Sequence, residues 1–477
     1  MPEPGISRAG EFQLDVAEII TSSGEPFSIV GNIMTITLYE NIKRGAITGE
    51  LILFDSYALS NIGPLIGQEY LKLKIRTPTI KAKDHVIDFT ENVLHIYRIG
   101  AKVHTGQATE TLTLYFTTSE FMRSNRTRIT RTLKGTYSSI VENILVNDLD
   151  CRKNPHIEPT SGDKKIIAPN MKPFDIIKIA RNEATTKKDN SPTFLFYETM
   201  DGKFHFRSLN SLYVQDSAWH YAKSIGGSKV LKGGLIDIER DLQTILTYNI
   251  SHNDMMKNSV TGVLGSKLIV HDIFNKSYST HNYNYLENFK NETHIDGGYA
   301  LYSESPIDKN EKKISDFDDR IFLQPTTIKD TDKFTDSSHI TSSGNYAYAA
   351  KNPHKWLQRR NSQILQIEDG IAININVHGH TMINVGDIVT LEIPYQSEEE
   401  TKRKRKSDRF LQGKFLVKMV RHDFRIAGFV HSMALTCVKD SVPDELEINP
   451  AASEPKPASA AVVVNTVDEF YGSEFFG

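Results

Sequence analysis

The chain has few cysteines, no long apolar run and no large excess of charge of either sign. Cys151 and Cys437 are its two cysteines in 477 residues, too few for a disulfide framework or a cysteine zinc cluster and typical of a reducing compartment. No stretch approaches the roughly 18 apolar residues of a membrane helix. Residues 1–5 lack the basic and apolar regions of a signal peptide, so we expect no membrane anchor.

The charge balance excludes a strongly basic protein. Lysine and arginine number 56 and aspartate and glutamate 59, for a formal net charge of -3, which lacks the basic footprint of a general nucleic-acid binder. Hydrophobic residues make up 39% of the chain, enough to bury cores. At roughly 150 residues per domain, this length predicts about three domains.

Alternating, β-branched segments dominate residues 26–122 and predict a first β-barrel. The predicted strands are Ile33–Leu38, Glu50–Phe54, Tyr70–Ile75, Val93–Ile99 and Glu110–Thr117. Lys72, Lys74 and Arg76 alternate with apolar residues, so one strand face should be wet and the other packed. Residues 1–25 are interpreted as an N-terminal arm.

The periodicity becomes helical near Tyr137, and residues 123–232 are predicted to form an α+β module. Ser138 or Ser139 is the expected helix cap, and Pro173 is placed at the first turn of a second helix that runs to Glu183. The dipeptide Asp201-Gly202 predicts a tight hairpin turn.

A second β-barrel is predicted from residues 233–272 and 354–442, including a helix over Trp356–Asp369. Between its two parts, residues 273–353 are polar with scattered aromatics, which is typical of an insertion module that packs on a neighbour. Residues 443–477, rich in Pro, Ala, Ser and Glu, predict a flexible C-terminal tail.

Two distant segments share the order glycine, strand, proline. One runs from Gly67 to Pro78, the other from Gly386 to Pro394, and each is followed by two further predicted strands at similar spacing. Chance alternation can mimic such a match, but an internal duplication explains it better. The fold class predicted is therefore mainly β, with two barrels, a helix-containing middle module and a polar insertion.

At this level the sequence resembles the baseplate central hub proteins of contractile-tailed bacteriophages. The resemblance is carried by Tyr39–Ile42, Gly49–Ser56 and Ile66–Glu69, by the module that ends at Asp201–Phe206, and by the closing segment from Gly386 to Leu435. It covers most of residues 12–440. The insertion and the C-terminal tail depart from the family pattern.

The resemblance implies two tail-tube-like barrels per chain and a homotrimer whose six barrels form a ring. That ring would join the sixfold tail tube to the threefold central spike and form part of the DNA ejection channel. The implied partners are the spike protein, tail tube or tube-initiator proteins, baseplate wedge proteins, a tape measure protein and passing genomic DNA without tight binding. The implied location is the virion baseplate, after synthesis in the host bacterial cytoplasm.

Two segments are candidate partner-docking sites. The basic run Lys402, Arg403, Lys404, Arg405 and Lys406 follows three glutamates, so an exposed loop tip is favoured over an acidic-partner patch or nucleic-acid binding. The tail carries four aromatic residues near its end, which suit either a peptide that docks in a partner groove or simple fraying. They are Phe470, Tyr471, Phe475 and Phe476.

No metal, cofactor or catalytic site is expected. His378 and His380 share a strand face and could gain His422 or His431 as a third ligand, but hydrogen-bonded or surface histidines are the simpler interpretation. The chain lacks phosphate-binding loops, nucleophile elbows and dinucleotide fingerprints.

Two alternatives to a structural hub stay open. The first is a spike-associated cell-wall or polysaccharide hydrolase, for which Glu183 and Asp189 are the carboxylates considered. The second is a host-surface adhesin that uses residues 273–353. A type VI secretion spike protein, similar in its hub region, is a lesser option because such proteins usually continue into a needle.

Overall fold

The computed structural model describes residues 8–21, 24–55, 65–78, 86–106, 109–223, 238–252, 254–272, 276–307, 309–326, 353–394 and 410–443. These residues are mostly β-strand with fewer helices, so the predicted mainly β class with an α+β insert is confirmed. No helix among them is long and apolar enough to cross a membrane.

The strands of the described residues are, in chain order, β1 (Gln13–Ile20), β2 (Pro26–Ser28), β3 (Ile33–Asn41), β4 (Thr48–Asp55), β5 (Tyr70–Arg76), β6 (Val86–Asp88), β7 (Leu94–Gly106), β8 (Thr109–Thr118), β9 (Ile129–Gly135), β10 (His156–Ile157), β11 (Lys164–Met171), β12 (Phe194–Glu198), β13 (Phe204–Ser208), β14 (Ser217–Ala222), β15 (Ile245–Ser251), β16 (Gly265–Asp272), β17 (Ser277–Asn284), β18 (Tyr299–Ala300), β19 (Arg320–Thr326), β20 (Ile371–His378), β21 (Ile388–Glu392), β22 (Gly413–Arg425), β23 (Val430–Lys439) and β24 (Ser441–Val442).

The described residues contain fewer helices than strands. They are α1 (Ser119–Arg126), α2 (Tyr137–Asn143), α3 (Pro173–Glu183), α4 (Leu209–Tyr213), α5 (Ile238–Leu242), α6 (Met255–Val260), α7 (Tyr285–Phe289) and α8 (Pro353–Asp369). Single turns of 3-10 helix cover Val30–Asn32 and Ile314–Asp316, and a π-helical turn covers Ile144–Asp148.

Two sets of six strands pair in the same order within one 14-stranded sheet. The first β unit has the order β3-β4-β8-β7-β5-β1, and the second β unit has the order β15-β20-β23-β22-β21-β14. Each unit packs its alternate apolar side chains into its own core. The units differ at one end, because β1 runs antiparallel to β5 whereas β14 runs parallel to β21.

Two strand irregularities of the first unit recur in the second, although β7–β8 has two further shifts, after Ile99 and after His104, that β22–β23 lacks. The pairing of β3 with β4 shifts between Ile33 and Thr35, and that of β15 with β20 shifts between Ile245 and Thr247. The pairing of β7 with β8 shifts after Ile96, and that of β22 with β23 shifts after Val417. Because a β-bulge is a local irregularity, matching bulges on matching strands indicate one architecture used twice.

The middle module has its own apolar core between strands β9 to β13 and helices α2 and α3. Helix α3 begins at Pro173 and ends at Glu183 as predicted, and Gly202 has a φ of 76° in the β12–β13 turn. The predicted cap of α2 was wrong. Thr136 is the N-cap, since its Oγ1 accepts a hydrogen bond from the Ser139 backbone N–H at 3.2 Å.

A separate three-stranded sheet, β17-β16-β19, stands apart from the 14-stranded sheet. Strand β16 lies in residues 233–272, the range assigned to the second barrel, yet it pairs with two strands of the 273–353 insertion. Helix α8 packs on this sheet through Gln358, whose Nε2 donates to the Ser266 backbone oxygen at 2.9 Å. The domain ranges themselves stay a prediction.

Candidate functional site: the junction of the two β units and their free edges

The two β units share strand β22, which pairs with its own unit first and with the other unit afterwards. Residues Gly413–Leu416 pair with β21, and Met419–Arg425 pair with residues 35–41 of β3. The register shift after Val417 separates these two parts, as expected of a bulge that redirects a strand. The result is one continuous sheet across both units.

Side chains are exchanged across this junction. Phe424 of β22 is buried in the core of the first unit, and Ile42, just after β3, is buried in the core of the second. On the other face, Thr37 Oγ1 donates to the Asp423 carboxylate at 3.0 Å. The junction is therefore closed by backbone pairing, apolar packing and polar contact together.

Glu40 joins the two β units to the middle module. Its side chain, 2% exposed, accepts hydrogen bonds from the backbone N–H of Met200 and, at 2.7 Å, from that of Val385. Burial raises the pKa of Glu40 to about 8, although the two backbone donors oppose this. One carboxyl group thus satisfies buried donors from two other parts of the fold.

A buried ion triad ties α1 to the middle module. The Lys153 ammonium contacts Glu120 at 2.8 Å and also contacts Glu198. Glu198 additionally accepts hydrogen bonds from Thr118 Oγ1 and from the Ile47 backbone N–H. Burial alone would lower the pKa of Lys153, but the carboxylates of Glu198 and Glu120 raise it, so the lysine stays charged and holds the triad together.

Buried histidines line the far end of the junction. His422 Nδ1 lies 3.0 Å from His431 Nε2, and the Tyr221 hydroxyl lies 2.8 Å from His380 Nε2. Burial lowers the pKa of His422 to about 3 and also keeps His431 neutral. In the described part of the chain no set of three His, Cys, Asp or Glu side chains is placed to hold a metal ion.

The structure places the repeat-defining residues at matching points. Gly67 and Gly386 precede β5 and β21 and have φ values of 85° and 89°, a region that favours glycine. Pro78 and Pro394 follow the same two strands and are half-buried. Their role in defining the repeat stays a prediction.

The other candidate residues are not brought together. Glu183 accepts a hydrogen bond from the Tyr137 hydroxyl at 2.6 Å, whereas Asp189 accepts from Asn210 at 2.8 Å and from Thr186. These bonds are typical of structural carboxylates. The basic run 402–406 and the aromatic tail residues 470–476 lie outside the described residues.

Sequence reasoning missed Glu40, Lys153 and Glu198. A signal was present for Glu40, because it continues the buried phase of β3 after Ile36 and Leu38. A charged residue on the core face of a strand indicates a buried polar contact. The partners of these groups come from distant segments, and the sequence carried no signal for them.

Two strands of the large sheet, β15 and β7, each have an unpaired edge among the described residues. Within the described residues, β15 pairs with β20 and ends the order of the 14-stranded sheet. Beyond His95, β7 pairs with β8, and no strand in the described part of the chain pairs with its other edge. Val103 on β7 is 52% exposed, and Leu246 on β15 is 41% exposed. Open edges with exposed apolar side chains are typical of strands that pair with another chain.

Together these features define an internally duplicated, mainly β protein whose halves are joined edge to edge. No protein-family model matches the chain. It is 22% identical over 415 residues to the "Probable baseplate hub protein gp334" of Vibrio phage KVP40, covering 86% of this chain and 90% of that protein. The predicted resemblance to baseplate hub proteins of contractile-tailed phages is thereby confirmed.

Solved structures of tail proteins are also similar to this chain. The tail protein from Neisseria meningitidis MC58 has a TM-score of 0.49 at 9% identity, covering 90% of this chain and 97% of that one. The 43 kDa tail protein of prophage MuSo2 from Shewanella oneidensis has a TM-score of 0.47 at 8% identity, covering 90% of this chain and 100% of that one.

Proposed function

We propose that this protein is a structural, non-enzymatic hub of a contractile phage tail baseplate. The observation that carries the proposal is the similarity to a named baseplate hub protein across 86% of the chain. The duplicated β units support it, since a chain with two equivalent units can form a pseudo-sixfold ring from three copies. The protein would then reside in the virion baseplate after synthesis in the host cytoplasm.

In this role the homotrimeric ring joins the sixfold tail tube to the threefold central spike and forms part of the DNA ejection channel. Tube or tube-initiator proteins, the spike, wedge proteins and the tape measure protein are its proposed partners. The channel wall should be polar without being strongly basic, because phosphate contacts would retain the passing DNA.

Solution mass by light scattering, with negative-stain images of the same peak, tests the hub. We expect three times the 53.9 kDa chain mass and a ring with an open centre, either alone or with the spike protein encoded nearby. A monomer in both samples would contradict the ring.

A peptidoglycan and polysaccharide turnover assay on the same preparation tests the non-enzymatic part. We expect no turnover above that of a heat-inactivated control. Turnover that is lost in a Glu183→Gln variant, with the fold intact, would favour the hydrolase alternative.

A further inference from the structure

The strand pairing that joins the two β units within one chain can be repeated between two chains. Strand β22 of the second unit joins β3 of the first. In the repeated strand order, β7 is the equivalent of β22, and β15 is the equivalent of β3. Both equivalents have an edge without a strand partner in the described residues, so each unit carries one half of a second junction.

We propose that the distal part of β7 in one copy pairs antiparallel with β15 in the next copy, repeating the β22–β3 junction between chains. This inference rests on the proposed ring, and it names the strands that close it. The two edges lie on different units, so the contact is head-to-tail, the type that generates a closed ring or an open filament.

The register on β7 follows from its pairing with β8. Val103 lies opposite Thr111, as Asp423 lies opposite Ser432 on β22 and β23. Phe116 lies opposite Ile96 and Cys437 lies opposite Val417, the residues that precede the two bulges. Thr111 and Ser432 each lie five residues before Phe116 and Cys437 on the same strands. Through this pairing Val103 is the equivalent of Asp423, and the additional shift between Ile99 and Lys102 accounts for the one extra residue that β7 has before this point.

The register on β15 follows from its pairing with β20. Asn249 lies opposite Asn374, as Thr37 lies opposite Glu50 on β3 and β4. Asn374 and Glu50 are themselves equivalent, because they lie opposite Thr436 and Tyr115, the residues directly before Cys437 and Phe116. Asn249 is thus the equivalent of Thr37. Since Asp423 and Thr37 are directly opposite and hydrogen-bonded within the chain, Val103 of one copy should lie opposite Asn249 of the next.

Exposure is consistent with this contact. Val103 and Asn249 are both exposed in the single chain. Ile99 and Ile250, further along the same two strands, are partly buried against the cores of the two units. Pairing would cover the exposed apolar surface and supply the backbone hydrogen bonds that an open edge lacks.

Cysteine cross-linking tests the pairing in the full chain. Residues directly opposite in an antiparallel pair have Cβ atoms about 4.5–5.5 Å apart, within reach of mild oxidation or a short bismaleimide. The double variant Val103→Cys with Asn249→Cys should form covalent dimers and trimers on a denaturing gel. Each single variant should stay at the mass of one chain, and wild type should as well, because Cys151 and Cys437 are buried.

Two matched controls locate the contact. In Thr37→Cys with Asp423→Cys, the two introduced thiols should react with each other while the band stays at the mass of one chain, since both residues lie opposite each other within one chain. Val103→Cys with Tyr278→Cys should not cross-link, because Tyr278 lies on the separate sheet, although it is 76% exposed and so accessible to the reagent.

Light scattering of the same double variant separates two kinds of failure. A trimer without Val103–Asn249 cross-links would overturn the strand pairing and leave the hub proposal standing. A monomer without cross-links would overturn both. Cross-linking as strong with Tyr278 as with Asn249 would also count against the pairing.

Discussion

The buried carboxyl of Glu40 should make stability depend on pH in a direction opposite to that of an ordinary carboxylate. Burial raises its pKa from 4.5 to about 8, so the folded chain holds a proton that the unfolded chain releases above pH 4.5. The stability from this group is complete below pH 4.5 and is lost as pH rises toward 8. The slope is about 1.4 kcal/mol per pH unit, or about 5 kcal/mol in all.

The perturbation is Glu40→Gln. Glutamine keeps one acceptor oxygen but turns its amide N–H toward a backbone donor, which costs about 1–3 kcal/mol at pH 5. It does not ionise, so its stability should not fall for this reason as pH rises. Relative to wild type, the variant should be less stable at pH 5 and should draw level or become more stable by pH 9.

Urea unfolding at steps between pH 5 and 9, followed by tryptophan fluorescence, measures this difference. Trp219 packs against the core of the second unit, the unit to which Glu40 is hydrogen-bonded through Val385. Glu142→Gln, at an exposed glutamate of α2, controls for loss of a carboxylate in general. A stability difference for Glu40→Gln that stays constant over this range would refute the reasoning.

Three further variants, one of them with a matched control, test other buried contacts of the fold. Lys153→Met should cost about 3–5 kcal/mol in a thermal melt, because two buried carboxylates lose their cation; unchanged stability would contradict the triad. His422→Leu should gain stability relative to wild type by about 1.4 kcal/mol per pH unit as pH falls from 6.5 toward 3, since wild type must keep this histidine neutral; parallel pH profiles would argue against that burial. Gly49→Ala would place a Cβ 2.4 Å from the Phe116 ring and should cost about 1–3 kcal/mol, whereas Gly31→Ala, with nothing within 4 Å, should change unfolding midpoints little.

The strands of the first unit could be predicted because their alternation is both strong and local. In β5, Leu71, Leu73 and Ile75 are buried and the residues between them are not. The second unit was harder. Strand β16 is as apolar as a core strand, but its partner β17 is polar and mostly exposed, and pairing with a distant strand leaves no trace in a local pattern.

Strand β22 at the junction could likewise be predicted only in part from its local sequence. The first of the two strands predicted after Pro394 is observed as β22, which extends to Arg425. In its second half the buried positions are His422 and Phe424, between charged residues that are partly or fully exposed. A histidine and a phenylalanine in a charged segment resemble a loop until β3 is placed beside them, because its pairing and packing are what favour the extended conformation.

The pairing of β3 with β22 also sets an order of events during synthesis. Roughly 370 residues separate the end of β3 from the start of β22, so at about 5–20 residues per second a ribosome needs roughly 20–75 s to supply the partner. Throughout that interval the first unit carries an open β3 edge. Neighbouring nascent chains on one messenger RNA could then exchange β22 strands. A chain truncated before residue 413 would keep its β3 edge open for pairing with other chains.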